Sequence, residues 1–288
     1  YSTNAHYVYS DHVVFSDWGV QVPGVIMITS PDNYYHTSGD RPSICDPTQL
    51  HRAIVLAAAT AYTIAAADEN QALAIANQVA SNAARRMSIK ASDDLTQLYQ
   101  TAGEQFAASY KKAKFNQDAL LINEKATLES IMELAPSSTL LKNHIASLQN
   151  TLQEKSASNH KEIYAAMKAR AAMLKIAPIK RIELTEEEKS ASKIFPHSTA
   201  KVKETGYGVL QSIPKELTEK YKPSQETGST YTRMALAHGD DIAKLTVSGK
   251  NSILDIKKMQ DAQFPDADKL EDIIRFLDML KEAGLVTF

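Results

Sequence analysis

The sequence predicts a mainly α protein that opens with one strand and one helix of α/β character, and three observations carry that prediction. Clustered β-branched residues are concentrated before Asp46. The chain after Asp46 is rich in alanine, poor in glycine and spaced for helices. From Ser252 onward the pattern reads as helix, turn, helix and strand.

The predicted strand is Val20 to Ile28, a short apolar run bounded by Pro23-Gly24 and by the turn signal Ser30-Pro31-Asp32-Asn33. A loop follows, and Asp46-Pro47 is an N-cap with proline at the first helical position. The helix it starts is predicted to reach about Ala67, with Leu50, Ile54, Ala57, Ala61 and Ile64 along one stripe. Its alanines suit close packing on a sheet, so residues 1–67 are expected to be the end of an α/β domain.

Four helices are predicted next, over Asp68–Met87, Asp93–Lys114, Gln117–Ala135 and Thr139–Leu174, the third stopped by Pro136 and the last capped by Ser137-Ser138. Short connections between them imply an antiparallel bundle across residues 68–176. Residues 177–251, punctuated by Pro196, Gly206, Gly208, Pro214, Pro223 and Gly228, are expected to be an extended arm with a short helix after the capping box Thr185-x-x-Glu188. Ser252 caps the first helix of the terminal unit, Pro265-Asp266 introduces the second, and Gly284 stops it before Leu285–Phe288. Residues 252–288 are therefore expected to form a winged-helix-like module.

Bulk properties exclude several functions. With 32 basic and 34 acidic residues, the chain has no overall field favouring nucleic acid or an anionic membrane. The winged-helix-like unit holds eight acidic and five basic residues, which argues against DNA reading and for packing or oligomerisation. No apolar run approaches the ~20 residues of a membrane span. Cys45 is the single cysteine, so no intrachain disulfide forms. His144 and His160 lie on predicted helices without ligand-spaced partners, and His197 and His238 are too distant in sequence to claim a metal site.

Chemistry is concentrated in the loop after the strand, which presents Tyr34, Tyr35, His36, Thr37 and Asp40. A histidine there serves as metal ligand, general base or hydrogen-bonded structural residue, and taken alone the third role is the commonest. Tyr35 either packs its ring or offers its hydroxyl. Asp11 and Asp40 are turn or cap residues unless a site gathers them.

In order, Ser10-Asp11-His12-x-x-Phe15, Gly19-Val20 with Pro23, and Tyr35-His36-Thr37-x-x-Asp40 before a helix resemble the end of the catalytic domain of the clan MH di-zinc aminopeptidases. That group includes bacterial leucyl aminopeptidases, glutamate carboxypeptidases and glutaminyl cyclases. The resemblance implies an α/β zinc-peptidase domain, two zinc ions, a peptide substrate and hydrolysis at a free N-terminus. It makes His36 the last zinc ligand, Tyr35 the donor to the oxyanion, Asp11 an acid near the substrate and Asp40 the acid of the loop signature. It also favours a secreted or periplasmic protein.

The family's site needs more ligands than this stretch holds. Two metals about 3.5–4 Å apart require a bridging carboxylate, further donors and a general base, yet no glutamate precedes Glu69. With Tyr1 in place of an initiator methionine, the expectation is the C-terminal portion of a longer peptidase, whose N-terminal catalytic segment supplies the other ligands. A helical domain after the catalytic one further suggests a homodimer through that region. The alternative is a non-catalytic helical assembly protein related to peptidases.

Overall fold

The computed structural model describes residues 10–29, 31–222, 236, 238–264 and 267–288. Pro223, Gly228 and the Pro265-Asp266 pair lie outside them. The described chain is mainly helical, and its only sheet among these residues is a two-stranded one.

Three long helices form the centre: α3 (Glu69–Gln100), α4 (Gln105–Ser130) and α5 (Thr139–Leu174), following α1 (Val13–Ser16) and α2 (Pro47–Ala65). Where four helices were expected there are three. The gaps foreseen after Met87 and after Lys114 are continuous helix, because no glycine or proline interrupts them and their polar residues are hydrogen-bonded, Ser88 at the surface and Asn116 and Gln117 in a buried polar layer. Ser88, for instance, returns its hydroxyl to the Ala84 carbonyl at 2.9 Å. The real interruption is at Thr101–Glu104, where Gly103 takes φ +63° in the middle of an expected helix. Asp68 and Gln71 close a capping box on α3, and the Ser138 hydroxyl accepts from the Leu141 amide at 2.9 Å to start α5.

The bundle has two apolar ends with a polar layer between. At one end Ala72, Ala76, Ala80, Ala83 and Met87 of α3 meet Leu128, Leu141, Ile145 and Leu152; the four alanines let the helices approach closely. At the other, Leu98, Phe106, Tyr110, Ile163 and Met167 pack together. Between them Asp94 accepts from Asn116 at 2.7 Å, and Asn159 donates to Gln117 at 2.8 Å and to the Met87 carbonyl at 3.2 Å. Buried Glu124 takes both oxygens to Arg86 at 2.6 Å, a bidentate pair that fixes the register of α3 against α4.

The C-terminal part is a second packed unit. Short helices α6 (Glu186–Ala191), α7 (Ala200–Thr205), α8 (Lys215–Lys220) and α9 (Gly239–Lys244) occupy the stretch expected to be an extended arm. They surround α10 (Ile253–Gln263) and α11 (Leu270–Glu282), and strand β2 (Val286–Thr287) pairs antiparallel with β1 (His197–Ser198). The apolar punctuation-rich segment folds because Val202, Val209, Leu210 and Ile242 complete the core that Ile253, Phe276 and Leu280 begin. Helix α4 carries α10 on its outer side. There Asp118 accepts from Lys258 at 3.2 Å and pairs with His160 Nε2 at 3.1 Å, while Lys258 lies 4.7 Å from the Phe115 ring centroid.

The predicted strand Val20–Ile28 is not formed. Residues 21–29 have no regular structure, and Val25 is 84% exposed. A strand exists by pairing, and among the described residues none lies alongside this one; the main-chain groups of residues 23–29 make no hydrogen bond there. Helix α2 does form, with Asp46 accepting from the Thr48 amide at 2.8 Å, but it buries none of its residues. Leu50, Ile54, Val55, Leu56, Tyr62 and Ile64 all face solvent. What ties the N-terminal segment down is Trp18, fully buried in the C-terminal core.

Burial pushes the Asp94 carboxyl above its ordinary range, against the opposing hydrogen bond from Asn116. A group whose folded value is raised favours the folded state at low pH and loses that contribution as pH climbs from its unfolded to its folded value. Asp94→Asn should therefore stabilise the bundle at pH 7, with the advantage shrinking as pH falls towards 4. Urea denaturation of both proteins across that range measures it, and an advantage that grows on acidification contradicts the assignment.

Candidate functional site

The loop carrying the candidate residues is held by its own short-range hydrogen bonds. Asp32 Oδ1 accepts from the Tyr34 amide at 2.9 Å, an Asx turn. Thr37 donates its hydroxyl to the Tyr34 carbonyl at 2.7 Å and accepts from the Gly39 amide at 3.2 Å. The Asp40 amide returns to the Thr37 carbonyl at 3.2 Å, and Arg41 Nε reaches the Ser38 carbonyl at 2.9 Å. A Cβ on Gly39 would stand 2.9 Å from the Tyr34 ring, so a larger residue there would push that exposed ring aside.

This frame sets Tyr35 and His36 side by side, their ring centroids 3.9 Å apart and the planes tilted by 32°. His36 adopts φ +57°, in the left-handed region that costs a non-glycine residue about 1–2 kcal/mol. Both side chains are exposed, Tyr35 by 56%. Asp40 sits at the end of the same turn with its carboxylate in solvent, and its contact with the loop is made by its amide. Asp11 is also exposed, at the turn before α1, where its carbonyl accepts from the Val14 amide at 3.1 Å.

Of the four sequence-derived candidates, the structure brings Tyr35 and His36 into contact and joins neither carboxylate to them by a hydrogen bond. Among the described residues no three His, Cys, Asp or Glu side chains are grouped to hold a metal ion. Cys45 is exposed, a free thiol beyond the loop. The other histidines have separate surroundings: His144 contacts Asn77 at 2.8 Å, His160 pairs with Asp118, and the His238 ring stacks on Phe264 at 3.8 Å. A cleft of 380 Å³ on the C-terminal unit, lined by Leu210, Gln211, Ile213, Lys215, Thr218 and Glu219, includes none of the candidates. No helix among the described residues is long and apolar enough to cross a membrane.

The most built polar arrangement near the N-terminus is one that motif reading passed over. Asp17 accepts from the Gly19 amide at 2.8 Å and from the Gly208 amide at 3.3 Å, and its carbonyl accepts from Val20 at 3.0 Å and Gln21 at 2.8 Å. Trp18 Nε1 donates to Ser198 Oγ at 3.0 Å, which also contacts Thr246 Oγ1 at 2.8 Å. The sequence signal was present: Trp18 is the sole tryptophan, flanked by an acid and a glycine.

Comparison of the chain with protein-family models, with curated proteins and with solved structures finds no match.

The Asx turn is what holds Tyr34 and Tyr35 in place, so Asp32→Ala should open the loop without touching the cores. A side-chain cap of this kind is worth ~1 kcal/mol, which corresponds to a several-fold faster chymotryptic cleavage after Tyr34 or Tyr35. The melting temperature should stay unchanged, and an unchanged cleavage rate would show that the turn is held elsewhere.

Proposed function

We propose that the loop at residues 31–46 contributes His36 as one metal ligand, and Tyr35 as a hydrogen-bond donor, to a zinc-dependent exopeptidase acting at N-terminal peptide bonds. The observation that carries this reading is the paired presentation of Tyr35 and His36: both are exposed, in contact, and held on an internally bonded turn with His36 in the left-handed region. Backbone strain of that sort persists only where surroundings impose it, and it recurs at ligand-binding positions.

One imidazole does not make the site. A catalytic zinc takes three protein ligands and leaves a position open, so the described residues fall short of that set. The proposal assigns the remaining donors, the bridging carboxylate included, to polypeptide outside the described residues. Two elements next to the loop favour such a partner. Residues 22–29 and α2 flank it on either side, and both display apolar side chains to solvent; surfaces of this type mark contact with another body.

The roles then follow from the chemistry of each group. The His36 ring is available to bind through either nitrogen. The Tyr35 phenol has no hydrogen-bond partner among the described residues, and in this reading it donates to the developing oxyanion. Asp40 closes the turn through its amide, and Asp11 stands nearer the Trp18 anchor in sequence than the loop. The same uncovered apolar helix favours a second reading, a non-catalytic helical assembly protein related to peptidases.

The readings separate experimentally. In an assembly that holds the full ligand set, a chelator and His36→Ala should each abolish peptide hydrolysis, and Tyr35→Phe should lower kcat by ~10²–10³ with little change in KM. This chain alone should bind zinc weakly by titration calorimetry. Wild-type turnover by the His36→Ala protein would refute the ligand assignment, and tight zinc binding by the isolated chain would refute the claim that its ligand set is incomplete.

A further inference from the structure

The contact between Trp18 and the C-terminal unit has the composition of a recognition site. It joins residues 180 positions apart through Ser198, and 191 apart through Gly208. The indole is 0% exposed and clusters with Val202 and Val209, while its N–H is taken by Ser198. The acid before it satisfies the amide of Gly208, a residue in the left-handed conformation at φ +83°. Gly19 closes the fit: a Cβ there would lie 2.0 Å from the Gly206 carbonyl oxygen and 2.7 Å from Val209 Cγ2. Each of the three positions thus has its own requirement, for a carboxylate, an indole and no side chain.

On the C-terminal side the chain is loosely held. Residues 23–29 make no main-chain hydrogen bonds among the described residues, and α2 is uncovered. Among the described residues before α3, Asp17 and Trp18 hydrogen-bond to the C-terminal unit, in the way a short peptide is held by a receptor through a buried aromatic anchor.

We propose that the C-terminal unit is a docking module for an Asp-Trp-Gly turn, occupied in this chain by residues 17–19. Its ligand class is a peptide turn carrying a carboxylate, an indole and a glycine in succession. The site is separable from the folding of the helices, and it does not depend on the metal-ligand reading.

Because Trp18 is the only tryptophan, Trp18→Gly leaves a chain with no indole and a vacated indole pocket, which the probe must fill in competition with the chain's own Asp17 and Gly19. The probe is the peptide acetyl-Ser-Asp-Trp-Gly-Val-amide, followed by its own fluorescence. The full-length Trp18→Gly protein, checked for wild-type helix content, should bind one peptide per chain with a blue-shifted emission. A peptide with alanine in place of the glycine should bind at least tenfold more weakly, and so should the wild-type protein towards the parent peptide. No binding to a folded Trp18→Gly protein overturns the proposal, as does equal binding by the wild type. Gly19→Ala in the full chain tests separability. Emission should shift to the red and become quenchable while the helical signal stays at the wild-type level. Unchanged emission, or loss of the whole helical signal in both variants, also overturns it.

Discussion

The Asp118 carboxylate ties the two packed halves together at their seam. Asp118 projects from α4 between α5 and α10, pairing with His160 on one side and Lys258 on the other. Burial works against its ionisation, yet the bond to His160 and the charge of Lys258 hold it below the usual carboxylate range. Such a group contributes above its unfolded value and loses that contribution as pH falls through its folded one. Lys258 reinforces the seam by lying over the Phe115 ring, while Lys111 reaches from α4 to Glu188 at 2.6 Å. Helix α4 therefore serves two bodies: one side completes the three-helix core and another carries the C-terminal unit.

The helices were the readable part of the fold, for a physical reason. Caps are local chemistry, so Asp46-Pro47, Ser138, Thr185 and Ser252 marked true starts. Breaks within the bundle were misplaced because polar residues such as Ser88 and Asp93 look like interruptions, whereas on a long helix they simply face water. The arm was misread for the opposite reason. Glycines and prolines between Pro196 and Pro214 set turns between short helices, and only the shared core of Val202, Val209 and Phe276 makes those turns compact.

The candidate site was half legible. The Tyr35-His36 loop forms a defined turn, as its Asp, Thr and Gly residues imply, but the strand meant to lead into it is absent. Val25 and Ile28 specify a residue pair suited to a pleated sheet and cannot supply the neighbour that would make one. Trp18 stands out in the sequence as the sole tryptophan, but its role as an anchor is not legible there, because its partners, Ser198, Val202 and Val209, are brought to it only by the tertiary fold. A side chain whose contacts are all long-range leaves no periodic trace.

Helix α2 displays Leu50, Ile54, Val55, Leu56 and Ile64 to solvent, and Arg52 is its charged side chain. An apolar stripe of that kind normally faces a packed neighbour. Displayed on a surface, it makes the protein's own concentration a thermodynamic variable: whatever covers it in dense solution adds mass-action stabilisation to the folded state, so a melting point recorded at one dilution need not hold at another.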